Sequence, residues 1–162
     1  MTIRSASGED WPRIWPIFDA TVRAGETYAF PMDLTIESAQ GWWMEQPPGQ
    51  TVVLEEADWI LGTAKMGPNR PGHGDHIGTA SFMVAPEARG RGVGRALAEY
   101  VVQWHRDEGY RGIQFNAVVE TNVAAVRLWQ DLGFEIVGTV PGAFRSPEHG
   151  YVGLHVMFLS LA

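Results

Sequence analysis

The sequence predicts a sheet-centred α/β domain with helices between its strands, and three observations carry that expectation. Short apolar or alternating segments are interleaved along the chain with segments whose apolar residues recur every three or four positions. No internal repeat, low-complexity tract or linker interrupts the 162 residues, a length suited to a single domain over 1–162 with a full hydrophobic core. Hydrophobic residues make up 45% and charged residues 19%, which separates the chain from disordered ones.

Residues 2–4 read as a short strand. Ser7 follows as a helix N-cap, with Glu9 in the first turn and Asp10 three residues after the cap. Trp11, Ile14, Trp15, Phe18 and Val22 form an apolar stripe at helical spacing. Pro16 inside that stripe predicts a kink or two short helices. A second helix is expected over 35–45, ended by Pro47-Pro48-Gly49, with Trp42 and Trp43 assigned to the core. Strands follow at 51–56, 59–66 and 76–84, the last two separated by the turn-rich loop GPNRPGHGD.

The next helix has the strongest pattern. Val93, Leu97, Tyr100, Val101 and Trp104 make one face, His105 and Arg106 complement the C-terminal dipole, and Gly109 stops it. GIQFNAVV alternates as a strand, with Ile113, Phe115, Ala117 and Val119 on one side and Gln114, Asn116 and Val118 on the other. TNVAAVRLWQDLG reads as a shorter helix turning Ala125, Leu128, Trp129 and Leu132 inward. FEIVGTV and YVGLHVMFLSL close the chain as strands.

Composition removes several function classes. The absence of cysteine excludes disulfides, thiolate metal sites and a cysteine nucleophile. A net charge of −7 argues against nucleic acid as a partner, which needs a broad basic face. No apolar run reaches membrane-spanning length and the start lacks an apolar signal segment, so the expected setting is the cytoplasm, with no membrane partner. The string His73-Gly74-Asp75-His76 fits a wet Gly/Pro loop better than a metal site.

Against this acidic background, Arg89-Gly90-Arg91-Gly92-Val93-Gly94-Arg95 packs three arginines and three glycines between a strand and a helix. A helix N-terminus exposes unpaired N–H groups and partial positive charge, glycine admits a ligand to the backbone, and arginine adds charge-assisted donors. A diphosphate fits that description; the alternative is a glycine turn with solvated arginines. The Walker pattern fails for want of Lys-Ser or Lys-Thr, and the dinucleotide fingerprint G-x-G-x-x-G fails at Arg95 and at Leu97.

What does match is R-x-x-G-x-G directly after a strand ending in Val84. Here the sequence resembles the GNAT family of acetyl-CoA-dependent N-acetyltransferases, whose pyrophosphate-binding motif has that form. A second segment is similar to the family's N-x-x-A-x-x-L-Y-x-x-x-G-F, through Asn122, Ala125, Leu128, Gly133 and Phe134, with Trp129 in place of tyrosine. The resemblance implies a central mixed, mostly antiparallel sheet of about seven strands, splayed near the middle and flanked by about four helices. It also implies acetyl-CoA as co-substrate, no metal, and a homodimer.

Site residues follow from the same resemblance. Main-chain groups of Phe82, Met83 and Val84 would bond the pantetheine arm, and the N–H groups of Arg89, Gly90, Arg91, Gly92, Val93, Gly94 and Arg95 would hold the pyrophosphate. Asn122, which also suits the N-cap of its helix, would bond the arm, with Ala125 and Trp129 beside it. A backbone N–H near Val84 would polarise the thioester carbonyl. Indole N–H donates a hydrogen bond but is no useful acid; with a thiol pKa near ~8.5, thiolate is nonetheless a fair leaving group.

Many relatives carry a glutamate base on the strand before the motif, where HIGTASFMV offers only Thr79 and Ser81. An amine resembling lysine, pKa ~10.4, is neutral about once in 2,500 molecules at pH 7, a cost near ~4.6 kcal/mol, whereas an α-amino group near ~8 costs about 1.4 kcal/mol. A site without an obvious base therefore favours a less basic amine or a water relay, unless Glu26, Glu120, His76 or His155 comes close in the fold. FNAVVETNVAAVRLW is also similar to a segment of fungal acetyltransferases acting on azetidine-2-carboxylate, whose asparagines matching Asn116 and Asn122 serve acceptor and cofactor. A satisfied polar residue in a sheet is the alternative for Asn116.

Tyr28 and Phe30, in a loop read as exposed, and Phe144, Arg145 and His155 near the end are expected to line the acceptor pocket with Thr79 and Asn116. The leading expectation is acetyl transfer to the amine of a small molecule, an amino or imino acid or a toxic analogue, by direct attack in a ternary complex. The alternatives are a CoA-binding module without chemistry and a protein or peptide N-acetyltransferase.

Overall fold

Seven strands of the chain form one sheet in the computed structural model, which describes residues 1–162. They are β1 (Thr2–Ser5), β2 (Gln50–Glu56), β3 (Trp59–Pro68), β4 (Ile77–Val84), β5 (Gly112–Val119), β6 (Glu135–Ser146) and β7 (Gly150–Ser160). Four α-helices join them: α1 (Trp11–Ala24), α2 (Ile36–Trp43), α3 (Val93–Asp107) and α4 (Val123–Asp131). The spatial order is β1-β2-β3-β4-β5-β7-β6, and every neighbouring pair is antiparallel except β4 with β5. The expected mixed, mostly antiparallel sheet with four helices is what forms. No helix is long and apolar enough to cross a membrane.

Adjacent residues of β3 display the two faces. A Cβ on Gly62 would lie 2.7 Å from Val93 and 2.9 Å from Leu97, so α3 sits directly on the strand. Next to it, Thr63 accepts a 3.0 Å hydrogen bond from the Trp43 indole and donates to the Val52 carbonyl at 2.8 Å, tying α2 to the opposite face. At the start of the chain, Arg4 grips Asp10 through two hydrogen bonds of 2.9 and 2.8 Å and reaches Glu55 at 2.9 Å, joining β1, the entry to α1 and β2. Asp10 is buried, and the Arg4 guanidinium holds its carboxyl down at about 2.

Several expectations need correction. α1 runs unbroken through Pro16, because the N–H that proline lacks would have served only Pro12, in the first turn, while Trp11, Ile14, Ile17, Phe18 and Val22 bury the helix along its length. Trp15 is half-buried, its expected place taken by Ile17. The helix read at 35–45 is shorter: Thr35 Oγ1 caps it by accepting from the Ser38 N–H at 3.1 Å, and the chain turns extended at Met44. Trp43 is wholly buried but Trp42 is 44% exposed, since successive helical residues point about 100° apart and only one of the pair can face the sheet.

The alternation read in β5 breaks in the middle. Phe115 opposes Met157 and Val118 opposes His155, so Asn116 and Ala117 share one partner position in a β-bulge. Ala117 is therefore exposed, and Val118 joins Phe115 in the core. The last antiparallel pair is longer than expected, with β6 running to Ser146.

His105 does not serve the exposed end of α3. It is wholly buried, its Nδ1 lies 2.8 Å from the Val101 carbonyl oxygen, and its Nε2 has no partner. Gly78 makes room for it: a Cβ there would meet the imidazole at 2.2 Å. Burial pushes the imidazole pKa down, so the folded protein keeps it neutral while the unfolded chain protonates it near ~6.5. Stability is then complete above that value and falls as pH drops toward the lowered folded pKa. Thermal melts between pH 7.5 and 5 should show this loss in the wild type, and His105→Phe, which removes the unpaired nitrogen, should flatten it.

Candidate active site

β4 and β5 are paired only at Ile77–Gly112 and Gly78–Ile113, and beyond that point they part. Three rings occupy the widening gap on the face that carries α3 and α4. Phe82 of β4 meets Phe115 of β5 edge-on at 6.0 Å, and Trp129 of α4 contacts each of them at 4.8 Å. Trp129 is thus a buried packing residue of the wedge, held also by Phe134.

Directly after β4 a short 3-10 turn, Pro86–Ala88, leads into the arginine–glycine stretch. Gly90 and Gly92 both have φ of 79°, a left-handed conformation that a side chain resists, with open space where a Cβ would stand. The first hydrogen bond of α3 runs from the Ala96 N–H to the Gly92 carbonyl at 3.0 Å. The amides of Gly90, Gly92, Val93, Gly94 and Arg95 donate to no protein group. Five free donors therefore converge at a helix N-terminus beside the open end of β4, an arrangement that holds an anion.

The arginines of this stretch are less available than their sequence implies. Arg91 donates to Glu56 at 2.6 Å and pulls that carboxyl's pKa down, and Arg95 donates to Asp131 of α4 at 3.1 Å. Arg89 alone of the three forms no ion pair. Main-chain amides plus one guanidinium, rather than three guanidinia, are poised for a ligand.

The other face of the wedge holds a cleft of about 680 Å³. Thr79 and Ser81 of β4, Asn116 of β5, Lys65 of β3, and Asn69 and Arg70 of the β3–β4 loop are among its lining. Asn116 Nδ2 donates to Asn69 Oδ1 at 2.6 Å while its Oδ1 accepts from Gln114 at 2.9 Å, an orientation fixed at both ends. Thr79 and Asn116, singled out separately in the sequence, thus share one cavity. Asn69 and Arg70 lie in the loop read only as wet connection; a cation and an amide among its glycines and prolines were the signal available there.

Other expected residues fall differently. Asn122 does not cap α4 with its side chain: its N–H donates to the Val119 carbonyl, its carbonyl accepts from Val126, and its amide group makes no hydrogen bond. Ala125 lies half-buried one turn on, packed on the cluster around Trp129. Tyr28 and Phe30 are not exposed; they are half-buried and stacked on each other at 5.2 Å. Phe144 is buried against Val119 and Val152, a packing role. His155 Nδ1 is 2.6 Å from Thr139 Oγ1. Glu26 accepts from Ser146 at 2.8 Å and Glu120 from the Gly153 N–H at 2.8 Å, so both carboxylates are engaged in holding loops and strands. No group of three or more His, Asp or Glu side chains comes together as a metal cage.

Comparison with known proteins agrees with this geometry. The family model described as "Acetyltransferase (GNAT) family" matches residues 11–134. A GCN5-related N-acetyltransferase from Kribbella flavida has a solved structure 56% identical in sequence, with a TM-score of 0.95 over 99% of this chain and 97% of that one. The N-acetyltransferase aca1 of Schizosaccharomyces pombe is 29% identical over 151 residues, 83% of this chain and 72% of that protein. The L-methionine sulfoximine/L-methionine sulfone acetyltransferase of Pseudomonas aeruginosa is 32% identical over 150 residues, 86% of this chain and 83% of that protein. The chain belongs to the GNAT acetyltransferase family, and it is an N-acetyltransferase with acetyl-CoA as its co-substrate.

Proposed function

We propose that this enzyme acetylates the amine of a small amino or imino acid, or of an analogue of one, by direct attack on acetyl-CoA in a ternary complex. The observation that carries the reading is a wedge with different chemistry on its two sides. Free amides stand at the open end of β4, and a polar cleft bearing Asn116, Lys65 and Arg70 lies on the opposite face of the sheet. Lys65 is held by Glu45 at 3.6 Å and by the Trp42 carbonyl at 2.7 Å, but Arg70 forms no ion pair and suits an acceptor that carries a carboxylate. Relatives named for a methionine sulfoximine activity support the same class.

In this reading the free amides of Gly90, Gly92, Val93, Gly94 and Arg95, with the Arg89 side chain, hold the pyrophosphate, while the Arg89 and Arg91 N–H groups stay on the Pro86 and Ala88 carbonyls. The pantetheine arm lies along Phe82, Met83 and Val84, and the unengaged Asn122 amide bonds it from the start of α4, with Ala125 and the Trp129 ring alongside. Asn116 orients the attacking amine, Thr79 lines its approach from the same cleft, and a β4 amide near Val84 polarises the acyl carbonyl. The amine nitrogen bonds to the acyl carbon, the C–S bond breaks, and sulfur departs as a thiolate that the proton shed by nitrogen converts to thiol. With a thiol pKa of ~8.5 the step needs no strong acid, consistent with an indole at Trp129. The whole chain acts as one domain, in the cytoplasm.

β6 supports a homodimer. It is the edge strand of the sheet, and Val137 (68%), Val140 (55%) and Ile136 (40%) stand exposed on it.

Thiol release from acetyl-CoA against a panel of amino and imino acids tests the proposal; a panel with no acceptor-dependent release overturns it. Gly92→Asp puts a carboxylate into the anion site on a backbone of positive φ, and calorimetry should show acetyl-CoA affinity reduced about 100-fold or more. Asn116→Ala should leave that affinity unchanged and lower kcat/KM for the acceptor about 10-fold or more. Val137→Glu should convert a dimer to monomer in light scattering, while a wild type monomeric at high concentration refutes the dimer.

A further inference from the structure

Tyr28 stands on the irregular segment between α1 and α2, far in sequence from β4, yet its hydroxyl takes both main-chain groups of Phe82. Its Oη accepts from the Phe82 N–H at 2.8 Å and donates to the Phe82 carbonyl at 2.6 Å. The ring cannot wander: it stacks on Phe30 at 5.2 Å and meets Trp43 edge-on at 6.4 Å. Phe82 lies on the part of β4 that β5 has left, so a phenol replaces the missing strand at the place where the acyl arm is expected.

A phenol has one proton and two lone pairs. The Phe82 N–H occupies one lone pair and polarises the O–H bond, while the proton goes to a carbonyl that an amide N–H of the pantetheine arm can equally well satisfy. We propose that Tyr28 is a catalytic hydrogen-bond donor to the acyl oxygen. The arm's N–H takes over the Phe82 carbonyl, and the Tyr28 hydroxyl, still accepting from the Phe82 N–H, turns its proton about the Cζ–Oη bond toward the thioester oxygen.

As the amine nitrogen bonds to the acyl carbon, the carbonyl π pair moves onto that oxygen, where the phenol stabilises it. When the C–S bond breaks, the pair returns to form the amide carbonyl and sulfur leaves with the C–S electrons, taking the proton shed by nitrogen. The phenolic proton stays on Oη throughout. Burial pushes the Tyr28 pKa up to about 12, which keeps the donor neutral across the working range. Trp129 offers no rival O–H group from α4.

The inference rests on the transfer reaction proposed above, and its test does not need an acceptor. Acetyl-CoA carrying ¹³C at the acyl carbonyl, bound to wild type and to Tyr28→Phe, reports hydrogen bonding to that oxygen through its infrared stretch. Tyr28→Phe keeps the aromatic stacking and loses only the hydroxyl. The stretch should fall on binding to the wild type, and the fall should be clearly smaller in Tyr28→Phe, where only the β4 amide still bonds the oxygen. With any accepted amine, turnover should drop about 100-fold while acetyl-CoA affinity stays within about threefold. An equal fall in both proteins, or none in the wild type, overturns the proposal.

Should Tyr28→Phe not fold, a fluorinated tyrosine at position 28 makes a stronger donor and should lower the stretch further; an unchanged stretch overturns the proposal. A wild type that binds no acetyl-CoA defeats the transferase reading and this inference together, whereas a stretch lowered as much in Tyr28→Phe as in the wild type defeats this inference alone.

Discussion

The parting of β4 from β5 after Gly78 is the constraint on which the rest of the molecule depends. A sheet that stayed paired along its full length would leave no main-chain edge for a ligand. The separation is sustained from both sides: Phe82, Phe115 and Trp129 stand in the gap as interlocked rings, and Asn116–Ala117 bulge out of the β5 ladder where the strands diverge. The two main cores meet along the same line. One, of 20 buried residues, joins α1 and α2 with β2, β3 and the start of α3; the other gathers β5, β7 and α4. Ala80 and Phe82 pack against both. A seam between two separately packed bodies is a place where a cleft can open without exposing either core.

The placement of α3 follows from the same architecture. Gly62 lets the helix come down onto β3, with Val93 and Leu97 filling the space a side chain would need. That contact fixes the first turn of α3, and with it the direction of the unbonded amides. Position, conformation and charge thus have separate sources: Gly62 sets where the turn lies, the positive φ of Gly90 and Gly92 sets its shape, and the helix terminus supplies the field.

Much of this was legible in the sequence because it is local. The turn at Gly90–Gly92 demands glycine whatever surrounds it, and the stripes of α3 and α4 follow from period alone. What resisted reading is set by partners distant in the chain. The β5 bulge depends on registry with β7, so perfect alternation in GIQFNAVV misplaced Ala117 and Val118. His105 looked like a dipole-capping residue and is instead a core residue, because Gly78 on another element vacates the space it fills. Of the candidate site, Thr79 and Asn116 were found as isolated polar residues on strands, whereas the Tyr28–Phe82 bridge, the engagement of Arg91 and Arg95, and the entry of Asn69 and Arg70 into the cleft exist only in three dimensions.

The pairing of Arg91 with Glu56 and of Arg95 with Asp131 has an evolutionary consequence. If the grip on an anion resides mainly in peptide groups, which every amino acid carries, the flanking surface is released from electrostatic duty. Glu56 and Asp131 then balance the arginines beside them, and such a patch can drift in composition, keeping the protein acidic as a whole, so long as compensating partners change together.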